Sequence, residues 1–147
     1  MEESLNFTIK AIIPCTEDIN VYRVYLFNKD TQILLPITTN KWACESILMA
    51  KDKVKTVRPH VHNLFIRTLT ATSVPFLGIT IYKFLDGIFY AYLLLEIDGF
   101  IAEIDAKVTD AICLALLKDK PLNVMPNVFL KAGIKVDKEL ISRSLEI

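Results

Sequence analysis

The sequence predicts an α+β fold in which two β-meanders are each followed by helices, the strands forming a mixed sheet packed by those helices. Three observations carry this. Runs rich in Val, Ile, Tyr and Phe arrive in threes, with short polar breaks between them. After each set the apolar period lengthens from two residues to nearly four. Strands and helices come in blocks rather than in strict alternation, which argues against a doubly wound parallel sheet. A chain of 147 residues fits a single domain over 1–147. The repeated β-then-α rhythm leaves internal duplication open, although no repeat of residues is visible.

The elements follow in order. LNFTIKAII (5–13), VYRVYLF (21–27) and TQILLPI (31–37) read as the first three strands, with Asn28, Lys29 and Asp30 as a polar turn. Asn40 can cap a helix running from Lys41 to about Val54, with Ala43, Ile47, Ala50 and Val54 on one face. KDKVKT is a solvated end to that helix, and Arg58-Pro59 stops it, because proline disfavours a helical residue before it. HNLFIRTLTA (62–71) reads as a second helix with Leu64, Phe65 and Leu69 toward the core. Asp-Gly steps at 86–87 and 98–99 mark two tight hairpins, since glycine accepts positive φ. They divide three strands at about 78–85, 88–97 and 100–105. A helix at 109–118 carries Ala111, Ile112, Ala115 and Leu116 on its apolar side. LNVM (122–125) is a short strand, and PNVFLKAGI a short helix with Asn127 at its start and Gly133 just past its end. The tail 136–147 reads as weakly helical.

Composition excludes some functions. Hydrophobic residues make up 52% of the chain, enough for a full core and too many for long disordered arms. Lys+Arg and Asp+Glu both number 17, so no strongly basic domain signals nucleic acid, and bulk charge lends no support to a local basic patch. Any nucleic-acid binding is expected to be weak and strongly salt-sensitive. The three cysteines, Cys15, Cys44 and Cys113, are far apart and form no CxxC, which favours reduced, packed thiols in a cytoplasmic protein. MEESLNFTIKAIIPC opens acidic and lacks a basic region before a long apolar block, so no signal peptide is read. GIFYAYLLLEI is the most apolar run and falls short of the roughly 20 residues that span a bilayer, so no membrane partner is expected.

Few chemical motifs survive inspection. GxGxxG, the P-loop, HExxH and GxSxG are absent, and with four glycines a phosphate-cradling loop has little material. Cys44 and Cys113 occupy apolar helical positions, which suits packing better than nucleophilic chemistry. His60 and His62 are two apart, so in an extended segment they point the same way and could suit a metal. The simpler reading is one histidine facing solvent and one capping a helix. EIDAKVTDAICLALL (103–117) holds Asp105 at a strand end and Asp110 near a helix start. As caps, Asp105 or Thr109 accepts backbone N–H bonds, and Asp110 meets the positive end of the helix dipole. As a site, the two carboxylates hold a hard divalent cation that activates water or stabilises a leaving oxygen. Spacing leaves both readings standing.

EIDAKVTDAICLA resembles the E-I-D-S-R-x-S-D-A-I-x-L-A signature of the bifunctional nuclease (DNase/RNase-like) family. IYKFLDGIFYAYL resembles that family's strand–hairpin–strand ahead of the signature, and PLNVMPNVFLKAGI its closing segment. RPHVHNLF is similar to its R-P-x-T-H-D-L-x, and LLPI to its L-P-I before the first helix. The likeness covers about residues 20 to 136. It implies a compact α+β domain, often a homodimer, with an acidic cleft and nuclease activity on DNA and RNA assisted by Mg²⁺ or Mn²⁺. Carried over by position, it implies Asp105 and Asp110 as catalytic residues and metal ligands, and His62 as general base or ligand. It also implies Arg58, Lys107 and Thr109 as contacts to substrate.

The chain also departs from that pattern. The family's glutamate after L-P-I falls on Ala43, and Glu45, two residues on, lies about 200° around a helix axis. Asn63 stands where the family has aspartate, and Ala106, Lys107 and Val108 where it has Ser, Arg and Pro. Fewer carboxylates weaken a hard-cation site. The resemblance therefore implies either a metal-assisted phosphodiesterase or a weakened relative that keeps the fold as a binding or regulatory module.

Overall fold

The computed structural model describes residues 3–15 and 18–136. The first meander is β1 (Leu5–Pro14), β2 (Val21–Asn28) and β3 (Ile33–Asn40), followed by α1 (Lys41–Lys51) and α2 (Val61–Ala71). The second is β4 (Phe76–Leu85), β5 (Ile88–Ile97) and β6 (Phe100–Lys107), followed by α3 (Val108–Lys118). The chain then forms β7 (Leu122–Val124), α4 (Pro126–Ala132) and a two-residue strand, β8 (Ile134–Lys135). The architecture is α+β, as the sequence predicts. The helical tail expected over 136–147 lies outside the described residues except for Val136.

The eight strands of the described residues form one mixed sheet in the order β6-β5-β4-β7-β1-β2-β3-β8. β7 joins the two meanders: it runs parallel to β4 and antiparallel to β1, and Leu122 lies opposite both Ile79 and Phe7. Side chains alternate across a pleated strand. Phe7, Val24, Leu26, Ile37, Ile79, Ala91 and Leu93 thus meet the helices in one continuous core. α3 is buried around most of its circumference, at Val108, Thr109, Ala111, Ile112, Cys113, Leu114 and Ala115. A helix apolar on nearly every side belongs in the interior. α1 and α2 pack against it, and it packs on β4, β5 and β6.

Turn chemistry agrees with the sequence. Asp86-Gly87 and Asp98-Gly99 all take positive φ, the signature of a two-residue hairpin turn whose twist matches its strands. The Asn40 side chain accepts the Ala43 N–H at 2.9 Å and caps α1. Gly133 ends α4 with an extended φ of −78°, so the need for glycine there is spatial: a Cβ would sit 2.3 Å from the Phe129 carbonyl oxygen.

Four local expectations are corrected. α1 ends at Lys51, so Val54 lies beyond it and is exposed, and the buried stripe is Cys44, Ile47 and Ala50. Leu64 is exposed, whereas Leu69 is buried and Phe65 packs against the core, as expected. His60 and His62 do not share an extended segment: His60 is the N-cap of α2 and His62 lies in its first turn. β6 runs through to Lys107, two residues past the expected end, which makes Lys107 the N-cap of α3 and leaves Asp105 inside the strand. Neither Asp105 nor Thr109 caps the helix. Asp110 does lie in its first turn, as expected. Among the described residues no helix is long and apolar enough to cross a membrane.

Candidate functional site

α2 and α3 pack side by side, and their first turns bring His62 and Asp110 together from 48 positions apart. His62 Nε2 lies 2.9 Å from Asp110 Oδ1. The imidazole is largely enclosed, at 17% side-chain exposure, while the carboxylate is 54% exposed at the cleft mouth. The pair therefore has a fixed end and a wet end. If Nε2–H donates to Asp110, Nδ1 keeps its lone pair, because neutral imidazole carries one proton. An orienting carboxylate of this kind sets the tautomer of a general base.

Around the pair is a cleft of about 220 Å³. Lys107, Thr109 and Cys113 line it from the β6–α3 side, and Asn40, Trp42, Ala43 and Ser46 from α1 and its cap. Thr109 is 3% exposed, a buried hydroxyl in the cleft wall. Burial, followed by the charge of Asp110, pushes the Cys113 thiol up to about 12. Burial alone pushes Cys44 up to about 11. Both are packed, protonated thiols, and all three cysteines are free.

Asp105 is elsewhere. In the β5–β6 register Ala91 opposes Ala106 and Leu93 opposes Ile104 on the core side, while Tyr92 opposes Asp105 on the other. Its Oδ1 accepts the Tyr82 hydroxyl at 3.1 Å, and the Tyr82 ring stacks on Tyr92 with centroids 5.0 Å apart. Burial first, and then the Asp105 carboxylate, raises the Tyr82 hydroxyl above its ordinary value. The sheet thus stands between the two aspartates. The donor set does not fit one ion held by both: Asp110 is engaged with His62, and no cluster of three His, Cys, Asp or Glu exists among the described residues. Hard cations ask for several oxygen ligands.

Arg58 lines a second depression of about 530 Å³, together with Lys53, Lys55, Asn63 and Arg67. Lys53 bonds Asp119 at 3.0 Å and the Leu116 carbonyl, closing the C-terminus of α3. The groove and the cleft meet through a small pocket that shares Asn63 with the first and His62 and Ser46 with the second. The sequence reading missed this basic groove and Trp42. The available signals were the lysines of KDKVK, read only as a solvated helix end, and a lone tryptophan in the first turn of α1.

The fold and cleft define a class: an α+β domain with an imidazole–carboxylate pair beside a basic groove. The family model of the bifunctional nuclease domain matches residues 24–137, and the chain belongs to that family. A comparison with curated proteins returns no match.

Proposed function

We propose that this family member hydrolyses phosphodiester bonds of nucleic acid, with His62 as general base and Asp110 as its orienting partner. The observation that carries the reading is the 2.9 Å His62–Asp110 contact inside a cleft. His62 takes a proton from water, the water oxygen bonds to phosphorus, and the bond from phosphorus to the leaving sugar oxygen breaks. Lys107 offsets the charge that develops on the phosphoryl oxygens, and the leaving oxygen takes its proton from His62 or solvent. Thr109 contacts the phosphate, and Arg58 holds the strand beside it. Mg²⁺ or Mn²⁺, expected of the family, has no place between Asp105 and Asp110, and no step here runs through an ion.

A second reading, binding without cleavage, is favoured by Ala43. It lines the cleft where the resemblance places a glutamate, and so offers no carboxylate there. The test is incubation of purified protein with single-stranded DNA and with RNA, with and without Mg²⁺ or Mn²⁺. Cleavage reduced about tenfold in Asp110→Asn and further in His62→Ala supports hydrolysis. Binding without cleavage supports the module. Cleavage undiminished in Asp110→Asn defeats the assignment and points to a contaminating nuclease.

A further inference from the structure

We infer that a single-stranded polynucleotide lies along one path, from the groove of Lys55, Arg58 and Arg67, past His62, to Trp42. The inference deepens the proposed function and rests on it for the class of ligand. The chain's net charge is zero, yet Lys53, Lys55, Arg58 and Arg67 all line one groove, and among the described residues no carboxylate lines it with them. Lys53 is occupied by Asp119, whereas Lys55, Arg58 and Arg67 are exposed. Arg67 lies four residues after Asn63, so both stand on one face of α2 above the groove floor. Several guanidinium and ammonium groups with no counter-anion among the described residues suit a run of phosphates.

The far end supplies the second observation. Trp42 is the only tryptophan of the chain, and it lines the cleft at 73% exposure. A large aromatic held in water beside an acid–base pair offers a flat face to a planar ligand. Nucleobases stack on such faces regardless of sequence, and they do so from single strands, because in a duplex both faces of each base are already stacked. The groove binds the backbone, His62 faces a phosphodiester, and Trp42 receives a base on the other side.

Trp42 is also the reporter. The probe is an oligothymidylate of roughly ten nucleotides, within the site sizes of single-strand grooves. It should quench the tryptophan fluorescence at low salt, and a duplex of equal length should not. Each phosphate contact on a single strand adds about 0.7 to the salt slope, so Arg58→Glu with Arg67→Glu should lower that slope by about 1.4. Trp42→Ala, followed by anisotropy of a labelled strand, should weaken binding by about 5- to 100-fold. The path is overturned if the strand binds without quenching, if the duplex quenches equally, or if the two arginine substitutions leave affinity and slope unchanged. Binding of phosphatidylserine vesicles in place of the strand also overturns it. Quenching with no cleavage removes only the hydrolytic reading, because the titration requires no turnover.

Discussion

Asp110→Asn is the substitution that most directly tests the acid–base pair. Asparagine keeps the shape and removes the charge, so His62 loses its charge-assisted partner and gains one that can present either a donor or an acceptor. A hydrogen bond to a charged group contributes about 1.5–3 kcal/mol where it is shielded. Here the carboxylate is 54% exposed, so screening places the effect toward the lower end of that range. At about 1.4 kcal/mol per decade, kcat on a small phosphodiester such as bis(p-nitrophenyl) phosphate should fall about tenfold and by no more than about 100-fold. His62→Ala should cost more, and the double variant little beyond His62→Ala alone, because the two residues act as a unit. Stability should change little: an exposed pair contributes about 0–1 kcal/mol, or about 0–4 °C in Tm for a chain of this size. Unchanged kcat in Asp110→Asn, or strictly additive losses in the double variant, would refute the reasoning.

Three further outcomes follow from particular contacts. Asp105→Asn should leave hydrolysis unchanged within about twofold, because its carboxylate faces Tyr82 across the sheet from the cleft; a loss matching that of Asp110→Asn would contradict the separation. Asn28→Ala should cost about 2–3 kcal/mol, seen as a Tm lower by about 5–10 °C. The buried amide donates to the Asn6 carbonyl at 2.9 Å and accepts from Thr31 N at 2.9 Å and Thr31 Oγ1 at 2.8 Å, tying the β2–β3 turn to β1. Stability should also decline in alkali. Cys44 and Cys113 are raised from 9.0 to about 11 and about 12, so the native state holds those protons more tightly than the unfolded chain. Their contribution is complete below about pH 9 and is lost as pH climbs through 11 and 12. Chemical denaturation across that window should show it, and Cys44→Ala with Cys113→Ala should flatten the curve.

Much of the fold was legible because its determinants are local. The two Asp-Gly turns, the Asn40 cap and the switch in apolar period each act within a few residues, and each appears where the sequence placed it. The motifs around residues 58–65 and 103–115 likewise led to the family without any knowledge of packing. The site was less legible, because it depends on which faces meet. β6 continuing for two more residues moved the helix start, and the alternation of a pleated strand then set Asp105 on the side away from Asp110. Spacing in sequence could not decide this, since a strand and a helix turn neighbouring side chains by different angles. The His62–Asp110 contact was a matter of docking α2 on α3. The basic groove was invisible to composition, where 17 cations cancel 17 anions and only position separates them. The sequence alone determined the elements apart from the two-residue β8, their order and the family. Tertiary packing decided which charges share a cleft, because cleft membership depends on contacts between remote elements that no local pattern encodes.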